Sequence, residues 1–402
     1  MKVTCITAYT PTPENKRGIS ALIYWLLKDR PANVELSLYS YNMNLISNEE
    51  MDAVSEDLKV NVHLLNLPKW YKTINRFSSK KILSLFLSKP LITYVKPEKK
   101  IIPVLKKSDI IWIYPYFFYN YSKLIESKKF IISGCDCISH VCSTRFSDNF
   151  FISKYMRELH LFFTHRQCIN VEKEFCRKNI VMHYVGLEDC IAFRHLHNAE
   201  NAFFLLHPHY ALKHKQIKFG KKLKVLIAGK NDHYMTTEIA LFVSGLITET
   251  DLKSNLKFTF LGKGWEAIVE DLVNCGFECC HKVWVDDYID EIIKHDVQIT
   301  PISNGGGTKG KVLDSIGNGL LTIGSKYALE NICVRDKESC LFYRYASEIP
   351  SILRSIIFNK EKYERIAAKG RQQVCTFHDP KRTTAVAYDS SVCSPSFDKL
   401  YI

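Results

Sequence analysis

The sequence predicts an α/β protein made of two doubly wound domains. Three observations carry that expectation. Short apolar runs alternate with stretches of helical periodicity along most of the chain. Several runs, such as DIIWIYP at 109–115 and KFIIS at 129–133, are apolar without alternation, as in parallel strands buried on both faces. The whole pattern restarts after a basic, non-periodic segment at 207–222.

In chain order, KVTCITA (2–8) reads as the first strand, followed by a proline-containing loop, Gly18, and a helix over ALIYWLLKD with Ser20 as its N-cap. Residues 34–40 alternate as a strand, 60–66 read as another, and 152–178 is helical in pattern. LKVLIAG (223–229) opens the second series. A helix over 236–247 follows, then the strand and glycine turn LKFTFLGKG (256–264), and a helix closed by Gly276. A short helix at 289–294, the strand VQITPI (297–302), a glycine loop, a helix over 309–318 and the strand LLTIGS (320–325) complete it. The expected division is 1–206, a linker at 207–222, 223–376, and a tail at 377–402 that can cross back to the first domain. Two open sheets of this kind are expected to place a ligand at the carboxyl ends of their strands.

The chain has 402 residues, ample for buried cores without disulfides. Lys plus Arg is 55 against Asp plus Glu 42, and the resulting +13 calls for an anionic partner: nucleic acid, a membrane surface or a phosphorylated small molecule. No run of about 18 apolar residues suits a membrane span. The N-terminal apolar run stops at Pro11, too short for a secretory signal, so a cytoplasmic protein with reduced thiols is expected. The clusters Cys135, Cys137, Cys142 and Cys275, Cys279, Cys280, His281 lack the paired spacing of a zinc site, so no metal is expected.

The most informative stretch runs from Pro301 through Gly305, Gly306, Gly307, Thr308 and Lys309 to Asp314. A strand enters three glycines and then a helix opened by Thr308 and Lys309. Glycine lets backbone approach a ligand closely. A helix start presents N–H groups and the positive end of a dipole to phosphate, at about 0.3–1 kcal/mol per interaction. Lys309 adds a full charge, and Asp314 can accept hydrogen bonds from sugar hydroxyls. A plain glycine turn with a capping Thr and a solvated Asp fits the same residues.

The run GGGTKGKVLDSIGNGLLTIGS resembles the donor segment of retaining GT-B glycosyltransferases, glycosyltransferase family 4 in particular, in its Gly-Thr-Lys variant. The similarity extends over roughly 223–375 and includes LKVLIAGKND, the FLGKG turn, VWVDDYIDEI and the helix KEKYERIAAKGRQQV. The resemblance implies the GT-B fold, two Rossmann-like domains facing across a cleft, with a nucleotide-diphosphate sugar as donor and no cofactor or metal. It places Asp314 at the ribose-binding acid, here shorter by a methylene than the family's Glu. The family's other acid falls at Gly306 and is absent. Gly307, Thr308 and Lys309 fall where the diphosphate or donor sugar is met. Lys230, after Gly229, takes the place of an Arg that neutralises the diphosphate. The second cation of that pair falls at Met235 and is missing, which leaves Lys230 and Lys309.

Gly18 resembles the glycine loop after the family's first strand. In SGCDCISH, Asp136 and His140 follow a strand where acceptor or donor hydroxyls can be oriented, though ordinary loop roles fit them too. His183, His207 and His209 read as structural. Residues 58–97 contain no acid and carry Lys80 and Lys81 on an amphipathic stretch, 74–89, that suits an anionic inner membrane face or a core helix with a solvated basic side. The chain also resembles bacterial surface-polysaccharide transferases, and that resemblance implies a glycan or lipid-linked acceptor in such synthesis. A nucleotide-sugar epimerase and a basic nucleic-acid-binding protein remain as alternatives. No nucleic-acid motif is present.

Overall fold

The computed structural model describes residues 1–15, 19–76, 86–146, 155–213, 215–232 and 234–389. The chain forms two compact units: Met1–Pro208 with the segment from Pro380, and His209–Asp379.

The first unit is built on a seven-stranded sheet. Its strands are β1 (Lys2–Thr7), β2 (Glu35–Ser40), β3 (Val62–Leu64), β4 (Ile110–Tyr114), β5 (Lys129–Cys135), β6 (Ile180–Tyr184) and β7 (Ala202–Phe204). They lie in the order β3-β2-β1-β4-β5-β6-β7, every pair parallel. All five residues of β4 are buried, as its unbroken apolar run requires. Helix Pro380–Tyr388 packs on this unit, with the Tyr388 ring 5.4 Å from that of Trp112.

Helix Ala21–Lys28 starts where the sequence places it, but Ser20 does not cap it. The Ser20 hydroxyl is engaged with Thr12 Oγ1 at 2.6 Å, and Asn15 Oδ1 accepts the Ser20 and Ala21 N–H groups instead. Gly18 lies outside the described residues, as do Lys80 and Lys81 with the rest of 77–85. No helix among the described residues is long and apolar enough to cross a membrane.

The second unit repeats the winding. Its strands are β8 (Leu223–Ala228), β9 (Leu256–Leu261), β10 (Glu278–Lys282), β11 (Val297–Thr300), β12 (Leu321–Gly324) and β13 (Leu341–Phe342). Their order is β10-β9-β8-β11-β12-β13, again all parallel. One face packs Val225, Ile227, Val297, Ile299 and Ile323 against helices Thr236–Ile247 and Ile349–Phe358. The other packs Leu226, Ala228 and Leu261 against Ile289 and Ile292. Each fully buried aliphatic side chain contributes about 1.5–3 kcal/mol.

The segment expected as a linker is bound to the second unit from His209 onward. Lys213 N donates to Asn318 Oδ1 at 2.7 Å, and the Lys213 ammonium pairs with Asp287 and Asp290. Phe219 is buried, and Arg371 bonds the Lys213 and Lys215 carbonyls. Its basic residues have acidic and carbonyl partners waiting on this unit, which is why a polar, non-periodic segment is held in place.

Candidate functional site

In each unit the strand order reverses between the first and fourth strands, and ligands of such sheets bind outside the carboxyl ends at that reversal. In the second unit the reversal lies between β8 and β11. Those strands pair only at Val297↔Val225 and Gln298↔Leu226, while β8 runs on to Ala228 and β11 to Thr300. Their ends therefore part, and three loops gather there: 229–235 after β8, 262–265 after β9 and 301–309 after β11.

The first two loops meet backbone to backbone. Gly262 has φ +130°, and a Cβ added to it would lie 2.1 Å from the Gly229 carbonyl oxygen. Only glycine fits there. The same carbonyl accepts the buried Trp265 indole N–H at 2.8 Å, and Asn231 N donates to the Lys263 carbonyl at 3.0 Å. His281 Nε2, 2.8 Å from the Gly262 carbonyl, fixes the turn from the side of β10. The third loop joins through Ser303, whose N–H donates to the Tyr234 carbonyl at 2.8 Å. The Tyr234 ring lies 3.4 Å from where a Cβ on Gly305 would sit. Trp265, Tyr234 and His281 thus support the site, and the sequence marked none of them for that role.

Lys230 stands at the end of β8 with an exposed side chain, making no hydrogen bond or ion pair among the described residues. Lys309 is held quite differently. Its ammonium donates to the Gly306 carbonyl at 2.7 Å, the Gly307 carbonyl at 3.1 Å and Glu330 Oε1 at 3.2 Å. The glycine loop is wrapped around its own lysine, with Gly305 (φ +121°) and Gly307 (φ +65°) supplying the backbone turns.

The helix begins one position later than expected, at Gly310. Lys309 rather than Thr308 is its N-cap, with no side-chain cap. Thr308 is half-buried in the loop, and Asp314 is half-buried on the helix beside Tyr288. Burial lifts the Tyr288 hydroxyl well above its usual pKa, Asp314 adds to that, and Ser315 pulls the other way. The loops therefore bring Gly229, Lys230, Gly306, Gly307, Thr308 and Lys309 to one end of one sheet, with Asp314 on the helix that the third loop opens.

Asp136 and His140 belong to the first unit, on the turn after β5. Gly134 precedes them with Tyr184 pressed against it, where an added Cβ would meet the ring at 2.8 Å. Both side chains are half-buried, and burial lowers the His140 pKa while Glu188 and Glu172 raise it. Two buried acids anchor this turn. Glu172 accepts from Ser139 N–H at 3.1 Å and Ser139 Oγ at 2.6 Å, and it meets His197 Nε2 at 2.9 Å. Asp189 accepts the Cys137 N–H at 2.9 Å. Negative charge is favoured at this start of helix Ile138–Phe146. A cavity with about 10 Å³ open to a water centre, room for one water, lies between Gly134, Asp136, Glu172 and Tyr184. Both acids come from distant elements, so no local pattern pointed to them.

His183 is buried in the core, its Nδ1 2.8 Å from Ser133 Oγ. Ser133 Oγ also accepts the Trp112 indole N–H at 2.8 Å. Burial lowers His183 to about 3 and His207 to about 4, as for neutral core imidazoles. Among the described residues no three His, Cys, Asp or Glu side chains are grouped to hold a metal ion.

Residues 242–387 match the family model described as glycosyl transferase-like. No curated protein sequence matches the chain. Among solved structures, HepE of Anabaena in complex with UDP-glucose aligns with a TM-score of 0.61 at 10% identity, over 96% of this chain and 97% of that one. Sucrose-phosphate synthase from Thermosynechococcus elongatus aligns at 0.64 and 10% identity, over 96% and 97%. A glycosyltransferase from Rickettsia africae aligns at 0.60 and 9% identity, over 96% of each chain. With its two parallel sheets of this winding order, the chain has the fold of the GT-B glycosyltransferases, and its residues 242–387 match a glycosyl transferase-like family.

Proposed function

We propose that the protein is a retaining glycosyltransferase that moves a sugar from a nucleotide-diphosphate sugar to a glycan or lipid-linked acceptor. The observation that carries this reading is the end of the second sheet, where a glycine loop, a helix start and Lys230 meet at the strand-order reversal. The family match over 242–387 supports it, as does the fold shared with HepE, which was solved with UDP-glucose.

Departure of a nucleoside diphosphate builds negative charge on the bridging oxygen. Fixed N–H groups of Gly310–Gly317 and the Lys230 ammonium stabilise that charge more than the ground state, in the role a metal takes elsewhere. Asp314 accepts from the ribose. The acceptor hydroxyl attacks from the leaving-group face, and its proton passes to a leaving phosphate oxygen. Asp136 and His140 orient hydroxyls, with Glu172 and Asp189 fixing their turn. Neither a cofactor nor a metal takes part.

The acceptor side of the reading is surface polysaccharide assembly at the cytoplasmic face of a membrane. The charge of +13 and exposed Trp70 and Phe86, which flank 77–85, support contact with an anionic surface. Product analysis tests the reaction. Transfer to an acceptor with the donor's anomeric configuration kept, in chelator, is the expected result. Conversion of the donor with no acceptor present would favour an epimerase instead.

A further inference from the structure

Glu330 is a second charged group of the donor loop, and it comes from a different strand. It follows helix Lys326–Leu329, which starts where β12 ends, and β12 lies beside β11. The Glu330 and Lys309 side chains are 13% and 16% exposed, so their 3.2 Å pair is largely shielded from water. Asn331, next in the chain with φ +63°, donates from Nδ2 to the Gly307 carbonyl at 3.4 Å. The loop after β12 is thus fastened to the glycine loop at two points.

A carboxylate in this position has consequences for an anionic ligand. A diphosphate at the start of Gly310–Gly317 competes with Glu330 for the Lys309 ammonium and repels it, and repulsion between shielded charges is strong. A neutral hydroxyl has the opposite effect, since it donates a charge-assisted hydrogen bond to the carboxylate. From Glu330, a nucleoside diphosphate alone meets only repulsion. A nucleotide sugar brings hydroxyls with its phosphates.

We infer that Glu330 is a specificity-determining residue: it tethers Lys309 to the loop and accepts hydroxyls of the donor sugar, so that the site takes a sugar-bearing diphosphate over the bare nucleotide. This inference rests on the nucleotide-sugar reading above. It also gives the site a way to release its own product, which keeps the diphosphate and loses the sugar.

Calorimetric titration with UDP, UDP-glucose, GDP and GDP-mannose tests it. Glu330→Gln removes the charge and keeps the shape. For the nucleotide that the wild type binds, the variant is expected to bind the bare diphosphate about fivefold more tightly and to narrow the preference for the sugar form about tenfold. Glu330→Asp keeps the charge but draws it back by a methylene. It is expected to weaken the sugar form severalfold and leave the bare diphosphate unchanged. Equal changes for both ligands, or none, in a variant that melts like the wild type would overturn the inference and leave Glu330 a loop brace. If Glu330→Gln does not fold, the Glu330→Asp comparison decides alone by the same criterion. A wild type that binds none of the four probes overturns the nucleotide-sugar reading itself, before any variant is compared.

Discussion

Lys230 and Lys309 bear the same charge at the same sheet end, and the structure separates their roles. Lys230 is exposed and makes no bond among the described residues, so Lys230→Ala should leave the melting temperature unchanged and cut turnover of a nucleotide sugar by about tenfold or more. Lys309 is a structural part of its loop. Lys309→Met strips Glu330 of its ammonium and leaves two loop carbonyls without that donor, so it should lower stability by about 1–3 kcal/mol as well as activity. Kinetics and thermal melting of the two variants check both statements. The sequence placed both cations at the end of the second sheet but gave no hint of this difference, because Glu330 arrives from β12 and has no fixed spacing to the glycine loop. Gly262 is a third constraint on the same sheet end. Its Cβ would strike the Gly229 carbonyl, so Gly262→Ala should displace the loop that carries Lys230, with a melting transition lowered and nucleotide binding lost.

At the scale of elements, the strands most legible in the sequence are those buried on both faces, such as β4, where every residue is apolar. β10 reads Glu-Cys-Cys-His-Lys and carries no such signal, because it is an edge strand with no fully buried residue. The Ser20 cap failed for a related reason: a hydroxyl with a closer partner in Thr12 is not available to the helix, and Asn15 was. Glu172 and Asp189 were illegible because the Asp136–His140 turn is anchored by acids from other elements. Strands β5 and β6 also carry a pH signature. His183 has its pKa depressed to about 3 in the folded state, against about 6.5 unfolded. The unfolded chain binds the extra proton between those values, so the stabilisation is complete above about pH 6.5 and is lost progressively as pH falls toward 3. Melting temperature measured from pH 7 to 4 should fall, and His183→Gln, which can still hydrogen-bond Ser133 but does not titrate, should flatten that fall.

At the scale of the whole molecule, the excess of +13 charges is spread over several duties. Lys213 and Lys222 hold the 209–222 segment to the second unit through Asp287, Asp290 and Glu278, where the sequence suggested only a linker. Others, Lys230 foremost, are proposed for a diphosphate. The acid-free stretch at 58–97 lies partly outside the described residues, and its proposed membrane contact is open to a direct check: cosedimentation with anionic vesicles should weaken on charge reversal of Lys80 and Lys81. The fold itself was readable from periodicity and one restart of the pattern. A chemistry could be proposed only where glycines, a helix start and Lys309 fell in one short run. The proposed function requires that the end of the second sheet bind a nucleotide sugar. Thermal denaturation with nucleoside diphosphates and their sugars tests it most directly: a ligand at a hundred times its Kd should add about 2.7 kcal/mol of stability, and this gain should shrink in Lys230→Ala. A melting temperature that no nucleotide or nucleotide sugar raises would contradict the claim.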